Sequence, residues 1–155
     1  MRKAIKSCKC EFGLFLIGGF LYNMIEICWR GYTHWTMFFV GGACFNVIGR
    51  IHTVGEKLGM FRRCALCSVA VSTIEFLSGC LVNLKWNMEV WDYSRIPLNL
   101  KGQICLLYSI LWGFLSLVAM PVYRRCRAWL AGEEKVPLFS GIGALSERAG
   151  GPSSY

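Results

Sequence analysis

The chain has 155 residues, of which 55% are hydrophobic and only 17% are charged, and its formal net charge is +8. A charged share below the roughly 25% of soluble domains, together with apolar residues gathered into four blocks, excludes an ordinary soluble domain and indicates a multi-pass membrane protein. The cations lie in clusters beside those blocks, where they face lipid phosphates, so the positive charge does not indicate a nucleic-acid-binding protein.

The four apolar blocks cover residues 12–29, 35–51, 64–84 and 104–123. Each matches the roughly 17 to 25 residues that a helix needs to cross the hydrocarbon core of a bilayer. We therefore predict an all-α fold, with four transmembrane helices in one domain over residues 1–131.

The first block follows a basic leader, which is also how a cleaved signal peptide begins. No small-residue cleavage site follows this block, and Trp29, Arg30 and Tyr32 instead form the aromatic and basic exit that is typical of an interfacial anchor. We therefore interpret the segment as a membrane span.

Lys and Arg concentrate on one side of the predicted bundle: in the leader, in the connection between blocks two and three, and after block four. By the positive-inside rule, this side and both termini face the cytoplasm.

Residues 132–155 are rich in Gly and Ser, carry mixed charge and contain no apolar run long enough to span a membrane. They predict a flexible cytoplasmic tail.

Two acidic side chains lie at predicted membrane depth, Glu26 in block one and Glu75 in block three. An ionised carboxylate there costs roughly 2.5 to 3.5 kcal/mol, so neither side chain is expected to face lipid. Small and polar residues recur at helical spacing around both acids and in block two, which predicts three faces that converge. The predicted polar cavity contains Asn23, Glu26, Arg30, Asn46, Ser72 and Glu75.

These acids have two interpretations. In the first, Glu26 pairs with Arg30, Glu75 is protonated, and both acids only hold helices together. In the second, they are cation or proton ligands in a cavity that opens outward, as intramembrane carboxylates are in transporters. The predicted depth of both acids, from the bilayer midplane outward, favours the second interpretation.

The connection between blocks three and four contains aromatic, acidic and turn-forming residues in the sequence WDYSRIPLNL. Trp and Tyr prefer the headgroup level, and Pro97 disfavours helix immediately before it. Asp92 is a turn former that has Arg95 and Lys101 as candidate ion-pair partners. We predict an ordered outer loop that lies over the bundle as a lid, the alternative being a simple aromatic anchor and turn. The predicted lid residues are Trp91, Asp92, Tyr93, Ser94, Arg95 and Asn99.

The nine cysteines do not indicate a disulfide framework, because most lie in or beside apolar blocks, where cysteine acts as a small apolar residue. Cys8-x-Cys10 and Cys64-x-x-Cys67 resemble the spacing of thiolate ligands. Cys64 and Cys67 open a predicted membrane helix, where small apolar residues are expected in any case. We expect no metal site.

The segment WDYSRIPLNLKGQICLLYSILWGF resembles the signature of a bacterial family of small integral membrane proteins, the type IV ABC-transporter permease-like proteins. The signature is a Trp-Asp-Tyr-Ser cluster followed by Asn-Leu-x-Gly-x-Ile-Cys-Leu. The upstream segment YNMIEICWRGYTHWTMFFVGG is also similar to the family's first helix pair. The chain departs from the pattern at Gln103, where arginine often stands in the family. The resemblance implies a permease-like protein that crosses the inner membrane of a bacterium several times.

We therefore expect a small permease-like component of a transporter or channel, not an enzyme, that uses no cofactor. Its expected partners are the lipid bilayer and a second copy or another membrane subunit, because four helices enclose little volume. The sequence has no G-x-x-x-x-G-K-[ST] loop, so any ATPase is expected to be a separate protein. The alternative, from another functional class, is a membrane interaction or scaffold protein whose acids are structural.

Overall fold

Four helices follow the four apolar blocks in the structure, a computed structural model that describes residues 2–133. They are α1 (Arg2–Arg30), α2 (Trp35–Val54), α3 (Met60–Gly79) and α4 (Leu106–Ala131). All four are long and apolar enough to cross a membrane, and in α1 the segment that does so begins at Cys8. The predicted all-α, four-span fold is therefore confirmed, and the chain is a multi-pass membrane protein.

Successive helices alternate in direction, so the bundle has two distinct ends. The loop end carries the connection from α1 to α2 and the connection from α3 to α4, and the tail end carries the start of α1 and the end of α4. Both ends of the described chain therefore share one side, and their cytoplasmic placement stays a prediction. The predicted tail lies outside the described residues from residue 134 onward.

The helices extend beyond the predicted blocks at their basic flanks. α1 begins at Arg2 rather than at residue 12, and α4 continues to Ala131 rather than to residue 123. Hydropathy marks only the part of a helix that lies in hydrocarbon, whereas Lys and Arg have high helix propensity and continue the helix into the interface. α4 stops at Gly132, whose left-handed φ of 73° provides a helix cap.

Helix α3 does not end in a simple cap but continues through a π-helical turn (Cys80–Lys85). The next 20 positions, residues 86–105, form a connection that we call the 86–105 loop. A short antiparallel hairpin, β1 (Asn99–Leu100) and β2 (Ile104–Cys105), closes this loop. As a result, α4 begins at Leu106 rather than at residue 104, because the first two residues of the predicted block pair as a strand.

Glycines bring α1 and α2 into close contact. A Cβ atom on Gly19 would lie 2.6 Å from the carbonyl oxygen of Phe38, and a Cβ atom on Gly42 would lie 2.6 Å from the carbonyl oxygen of Phe15. Each helix thus presents a glycine to the backbone of the other. Small residues of this kind are how membrane helices reach short separations, since packing replaces the hydrophobic effect in lipid.

The remaining packing is uneven around the bundle. The main core lies among α2, α3 and α4 and includes Met37, Val71 and Met120. A second cluster, built on Leu14, Phe45 and Tyr123, joins α1 to α4 near the tail end. α1 packs most extensively against α2 and α3 against α4, whereas α1 and α4 make fewer contacts. The gap between α1 and α4 toward the loop end is where the cavities lie.

Candidate functional site

A cavity of about 490 Å³ lies at the loop end, between α1, α4 and the 86–105 loop. We call it the loop-end cavity. Its wall is mainly aromatic and aliphatic, with one acid and one arginine. The lining residues are Tyr22, Ile25, Glu26, Trp29, Arg30, Met37, Trp91, Tyr93, Tyr108, Leu111, Trp112, Phe114 and Leu115.

The ionic part of this cavity is a cluster around Glu26, which is only 8% exposed. Glu26 Oε1 accepts a hydrogen bond from Arg30 Nη2 at 2.5 Å, and Oε2 accepts one from the Thr33 hydroxyl at 2.5 Å. The same hydroxyl lies 3.3 Å from Asn23 Oδ1, and Arg30 Nη1 donates to the Val90 carbonyl at 3.2 Å. The predicted residues Asn23, Glu26 and Arg30 therefore meet, and Arg30 links α1 to the 86–105 loop.

The second acid, Glu75 of α3, is 3% exposed and lies behind the aromatic wall of the cavity. Its Oε1 accepts a hydrogen bond from the Tyr93 hydroxyl at 3.1 Å, and its Oε2 accepts one from Trp112 Nε1 at 2.8 Å. Tyr22 stacks on Trp112, and Tyr108 stacks on Tyr93, with ring centroids 5.8 Å and 4.8 Å apart. Both acids are thus buried as predicted, and Glu75 orients two of the rings that separate it from the cavity.

Tyr93 lies in the 86–105 loop and is the point at which the loop reaches the acid of α3. Burial, and next the neighbouring Glu75 carboxylate, raise the pKa of the Tyr93 phenol above its ordinary value. The phenol therefore stays protonated and remains a hydrogen-bond donor at physiological pH.

The exposed part of the 86–105 loop is held by local turns. Asp92 Oδ1 and Oδ2 accept hydrogen bonds from the backbone N–H and the hydroxyl of Ser94, both at 2.8 Å. These two bonds hold the pKa of Asp92 below its ordinary value, the backbone bond contributing most. Within residues 8–133, Asp92 forms no ion pair with Arg95 or Lys101, which corrects the pairing considered from the sequence. The short Asp side chain satisfies its own turn first.

Asn99 organises the following turn. Its Nδ2 donates to the Ile96 carbonyl at 2.7 Å and to the Ser94 carbonyl at 3.2 Å, and its Oδ1 accepts from the Gly102 N–H at 3.0 Å. Of the predicted lid residues, only Trp91 and Tyr93 face the loop-end cavity. Asp92, Ser94 and Arg95 are exposed, and Asn99 is half-buried.

The inner part of the 86–105 loop is attached to α3 through Asn83, a residue of the π-helical turn. Asn83 Nδ2 donates to the Trp91 carbonyl and to Gln103 Oε1, both at 2.9 Å, and Oδ1 accepts from the Val90 N–H at 2.8 Å. Trp91 Nε1 donates to the Gln103 carbonyl at 3.0 Å. Asn83, Trp91 and Gln103 are all buried, so this network is a fixed attachment that we call the Asn83 clamp.

Substitution of Asn83 by Leu is expected to release the 86–105 loop from α3. The change leaves the Val90 N–H, the Trp91 carbonyl and Gln103 Oε1 without a partner, and each buried unsatisfied group costs roughly 1 to 3 kcal/mol. We expect the Val90 amide to exchange with deuterium at least about tenfold faster than in the parent, since 1.4 kcal/mol corresponds to a factor of ten.

Hydrogen exchange measured by mass spectrometry in detergent checks this expectation. Ser94→Ala is the control, because it removes a hydrogen bond of the 86–105 loop that lies outside the clamp. Asn87→Leu is unsuitable as a control, because Asn87 has a left-handed φ of 52° that leucine rarely adopts. Protection of Val90 that is equal in Asn83→Leu and the parent would contradict the clamp.

Two predicted cavity residues lie elsewhere. Asn46 Nδ2 donates to the Glu11 carbonyl at 3.1 Å, toward the tail end, and the Ser72 hydroxyl donates to the Ser109 hydroxyl at 2.8 Å inside the α3–α4 contact. Neither residue lines the loop-end cavity. Helical spacing fixes the face on which a residue lies but not its depth relative to residues of another helix, because each residue advances the helix by about 1.5 Å.

Sequence reasoning missed the aromatic residues of the site. Tyr22, Tyr108 and Trp112 form its wall together with Tyr93, and Thr33 completes the Glu26 cluster. Aromatic residues near the ends of membrane spans are usually interfacial anchors, so their type alone gives no signal for a cavity wall.

The nine cysteines are free thiols, and within the part of the chain that the structure describes no three metal-ligating side chains cluster.

Comparison with known proteins matches most of the chain to the model of a protein family. The model of a protein family described as "Putative ABC-transporter type IV" matches residues 13–136. This range contains most of α1, all of α2, α3 and α4, and the 86–105 loop. No curated protein and no solved structure matches the chain.

Proposed function

Because the chain belongs to the family described as "Putative ABC-transporter type IV", whose model covers residues 13–136, we propose that it is a permease-like subunit that receives its cargo in the loop-end cavity. It is a membrane protein of a transport-related family. In this proposal Glu26 and Arg30, which line the cavity, provide the polar contacts to cargo, and Asn23, outside the lining, lies next to Glu26 through the Thr33 hydroxyl. Trp91 and Tyr93 of the 86–105 loop act as the lid.

The observation that carries the proposal is the ionic pair in the wall of an open cavity at membrane depth. Glu26 and Arg30 both line the cavity, and their contact is 2.5 Å long. Ionisable groups within membrane spans are costly and commonly mark substrate or ion pathways. A purely structural pair would be expected inside a packed interface rather than beside a cavity of about 490 Å³.

The four helices enclose only part of a pathway across the membrane. Leu14, Phe45 and Tyr123 fill the bundle near the tail end, and none of them lines the loop-end cavity. A continuous pathway therefore calls for a second copy or a different membrane subunit beside this one. Hydrolysis of ATP would be provided by a separate protein, since the sequence has no G-x-x-x-x-G-K-[ST] loop.

A second function, that of a membrane scaffold, is favoured by the complete pairing of both acids. Each oxygen of Glu26 accepts a hydrogen bond, from Arg30 or Thr33, and each oxygen of Glu75 accepts one, from Tyr93 or Trp112. Satisfied buried networks of this kind also specify one packing arrangement of a core. In this alternative the acids fix the helices and bind no cargo.

Replacement of Glu26 or Glu75 by glutamine distinguishes the permease-like subunit from the scaffold. In proteoliposomes that contain the full chain, we expect Glu26→Gln and Glu75→Gln each to lower the flux of protons or monovalent cations at least about tenfold while the folded yield in detergent stays near that of the parent. Glutamine keeps the size and most of the hydrogen bonds of glutamate but carries no charge.

The flux is measured with a pH-sensitive dye and with the release of trapped cations. Glu89→Gln is the matched control, because Glu89 is an exposed acid at the same end of the bundle. Loss of flux with intact yield supports the permease-like subunit. Loss of folded yield in both variants, together with no flux through the parent, supports the scaffold.

A further inference from the structure

The gap between α1 and α4 contains a second cavity beside the loop-end cavity. It has a volume of about 180 Å³ and lies closer to the tail end. It shares part of its lining with the loop-end cavity, and the shared residues are Tyr22, Ile25, Trp112 and Leu115. The two cavities therefore adjoin along these residues, and we call them together the α1–α4 slot.

The rims of the α1–α4 slot are two rows of exposed apolar side chains. On each helix the rim residues are three or four positions apart, so each row follows one helix face. The rim residues are Leu21, Ile25 and Trp29 on α1 and Leu111, Phe114 and Val118 on α4. Both rows lie in segments that cross the membrane, so the slot opens sideways toward the acyl chains of the bilayer.

The floor of the slot differs in polarity along its length. Toward the tail end it is formed by buried apolar side chains, which include Cys44, Ile48 and Val71. Toward the loop end it reaches Glu26 and Arg30. A space with a long apolar part and a polar end is complementary to an amphiphile, whose chain contacts the apolar wall while its headgroup reaches the polar end.

The polar end has hydrogen-bond donors in excess. A guanidinium carries five N–H groups, and Arg30 uses one on Nη2 for Glu26 and one on Nη1 for the Val90 carbonyl, while its side chain lines the cavity and remains 22% exposed. Glu26 has both oxygens occupied by protein donors. The group still lacking at this end is thus an acceptor, which an anionic headgroup provides as a charge-assisted bond.

We propose that the α1–α4 slot binds one anionic lipid that enters sideways from the bilayer, with its phosphate at Arg30 and an acyl chain between α1 and α4. The inference goes beyond the proposed function and does not depend on it, because binding of a lipid in the slot requires no transport. A helix of a second copy fits less well, because its apolar side chains would cover Arg30 and supply no acceptor.

The test is lipid binding to the purified full chain in a neutral detergent, followed by native mass spectrometry. The probes are dioleoyl phosphatidylglycerol and dioleoyl phosphatidylcholine, which have the same acyl chains and different net charge. We expect the parent to retain one phosphatidylglycerol with an affinity at least about tenfold higher than for phosphatidylcholine. Glycerol phosphate, a headgroup without chains, is expected not to displace it.

Two variants locate the binding. Leu115→Trp fills the slot where the two cavities join and is expected to lower the affinity for phosphatidylglycerol at least about tenfold. Leu117→Trp is its matched control, because Leu117 is an exposed residue of α4 outside both cavities. Arg30→Gln is expected to abolish the preference for phosphatidylglycerol over phosphatidylcholine.

The proposal is overturned if Leu115→Trp binds like Leu117→Trp, or if glycerol phosphate displaces the lipid. It is also overturned if the delipidated parent is a dimer that Leu115→Trp dissociates, since a second copy would then occupy the slot. Because these measurements need no transport, specific lipid binding without any flux through the parent would leave the slot in place and count against the proposed function alone.

Discussion

Glu75→Ala lowers the free energy of unfolding by roughly 2 to 6 kcal/mol, because it leaves the Tyr93 hydroxyl and Trp112 Nε1 buried without an acceptor, at roughly 1 to 3 kcal/mol each. Glu75→Gln is expected to cost much less. The amide oxygen still accepts from Trp112, and the amide nitrogen can donate to Tyr93, whose hydroxyl is able to accept.

Thermal unfolding in detergent, followed through tryptophan fluorescence, measures the difference. Glu56→Ala serves as the control, since Glu56 is an exposed acid in the connection from α2 to α3, and it is expected to unfold within about 0.5 kcal/mol of the parent. Equal stability of Glu75→Ala and Glu56→Ala would show that the contacts of Glu75 with α4 and the 86–105 loop do not hold the bundle together.

The double substitution Gly19→Ala and Gly42→Ala is expected to separate α1 from α2. Each new methyl group would lie 2.6 Å from a carbonyl oxygen of the opposite helix, well inside the roughly 3.5 to 4.0 Å of a favourable contact. A backbone atom cannot turn away as a flexible side chain can, so the helices must move apart. Overpacking of this kind costs roughly 1 to 3 kcal/mol at each site.

Gly113→Ala is the control that makes this result specific. Gly113 lies in α4, and the nearest atom to its added Cβ is 3.6 Å away, an ordinary contact. Alanine is a better helix former than glycine by roughly 0.5 to 1 kcal/mol, so Gly113→Ala is expected to raise the unfolding midpoint while the double variant lowers it. A double variant as stable as Gly113→Ala would contradict the close approach of α1 and α2.

The sequence predicted the helices because length and hydropathy are local properties of the chain. The pairing of Glu26 with Arg30 was one of the two interpretations that the sequence left open, since residues four apart on a helix are neighbours, and the structure contains this pair. The burial of Glu75 followed from the cost of a carboxylate in lipid, without any knowledge of its partners. Each of these inferences needs information from one helix only.

The partners of Glu75 were not predicted, because Tyr93 and Trp112 are 18 and 37 positions away in the sequence and approach only after the bundle has formed. Asn83 was missed for another reason. A π-helical turn inserts one residue into the helical repeat and rotates the following side chains, and the sequence Cys80–Lys85 has no recognised signature of this change. In a hydropathy profile, Asn83 is only a polar residue near the end of a span.

The Asn83 clamp has a mechanical consequence. The 86–105 loop is bonded to α3 at two levels, through Asn83 in the π-helical turn and through Glu75 about two turns earlier. We therefore expect loop and helix to move together, so that the 86–105 loop covers the cavity as a fixed lid rather than as a flap with hinges of its own. The hydrogen bond from Arg30 to the Val90 carbonyl joins α1 to this unit, and widening the gap between α1 and the loop requires that this bond break.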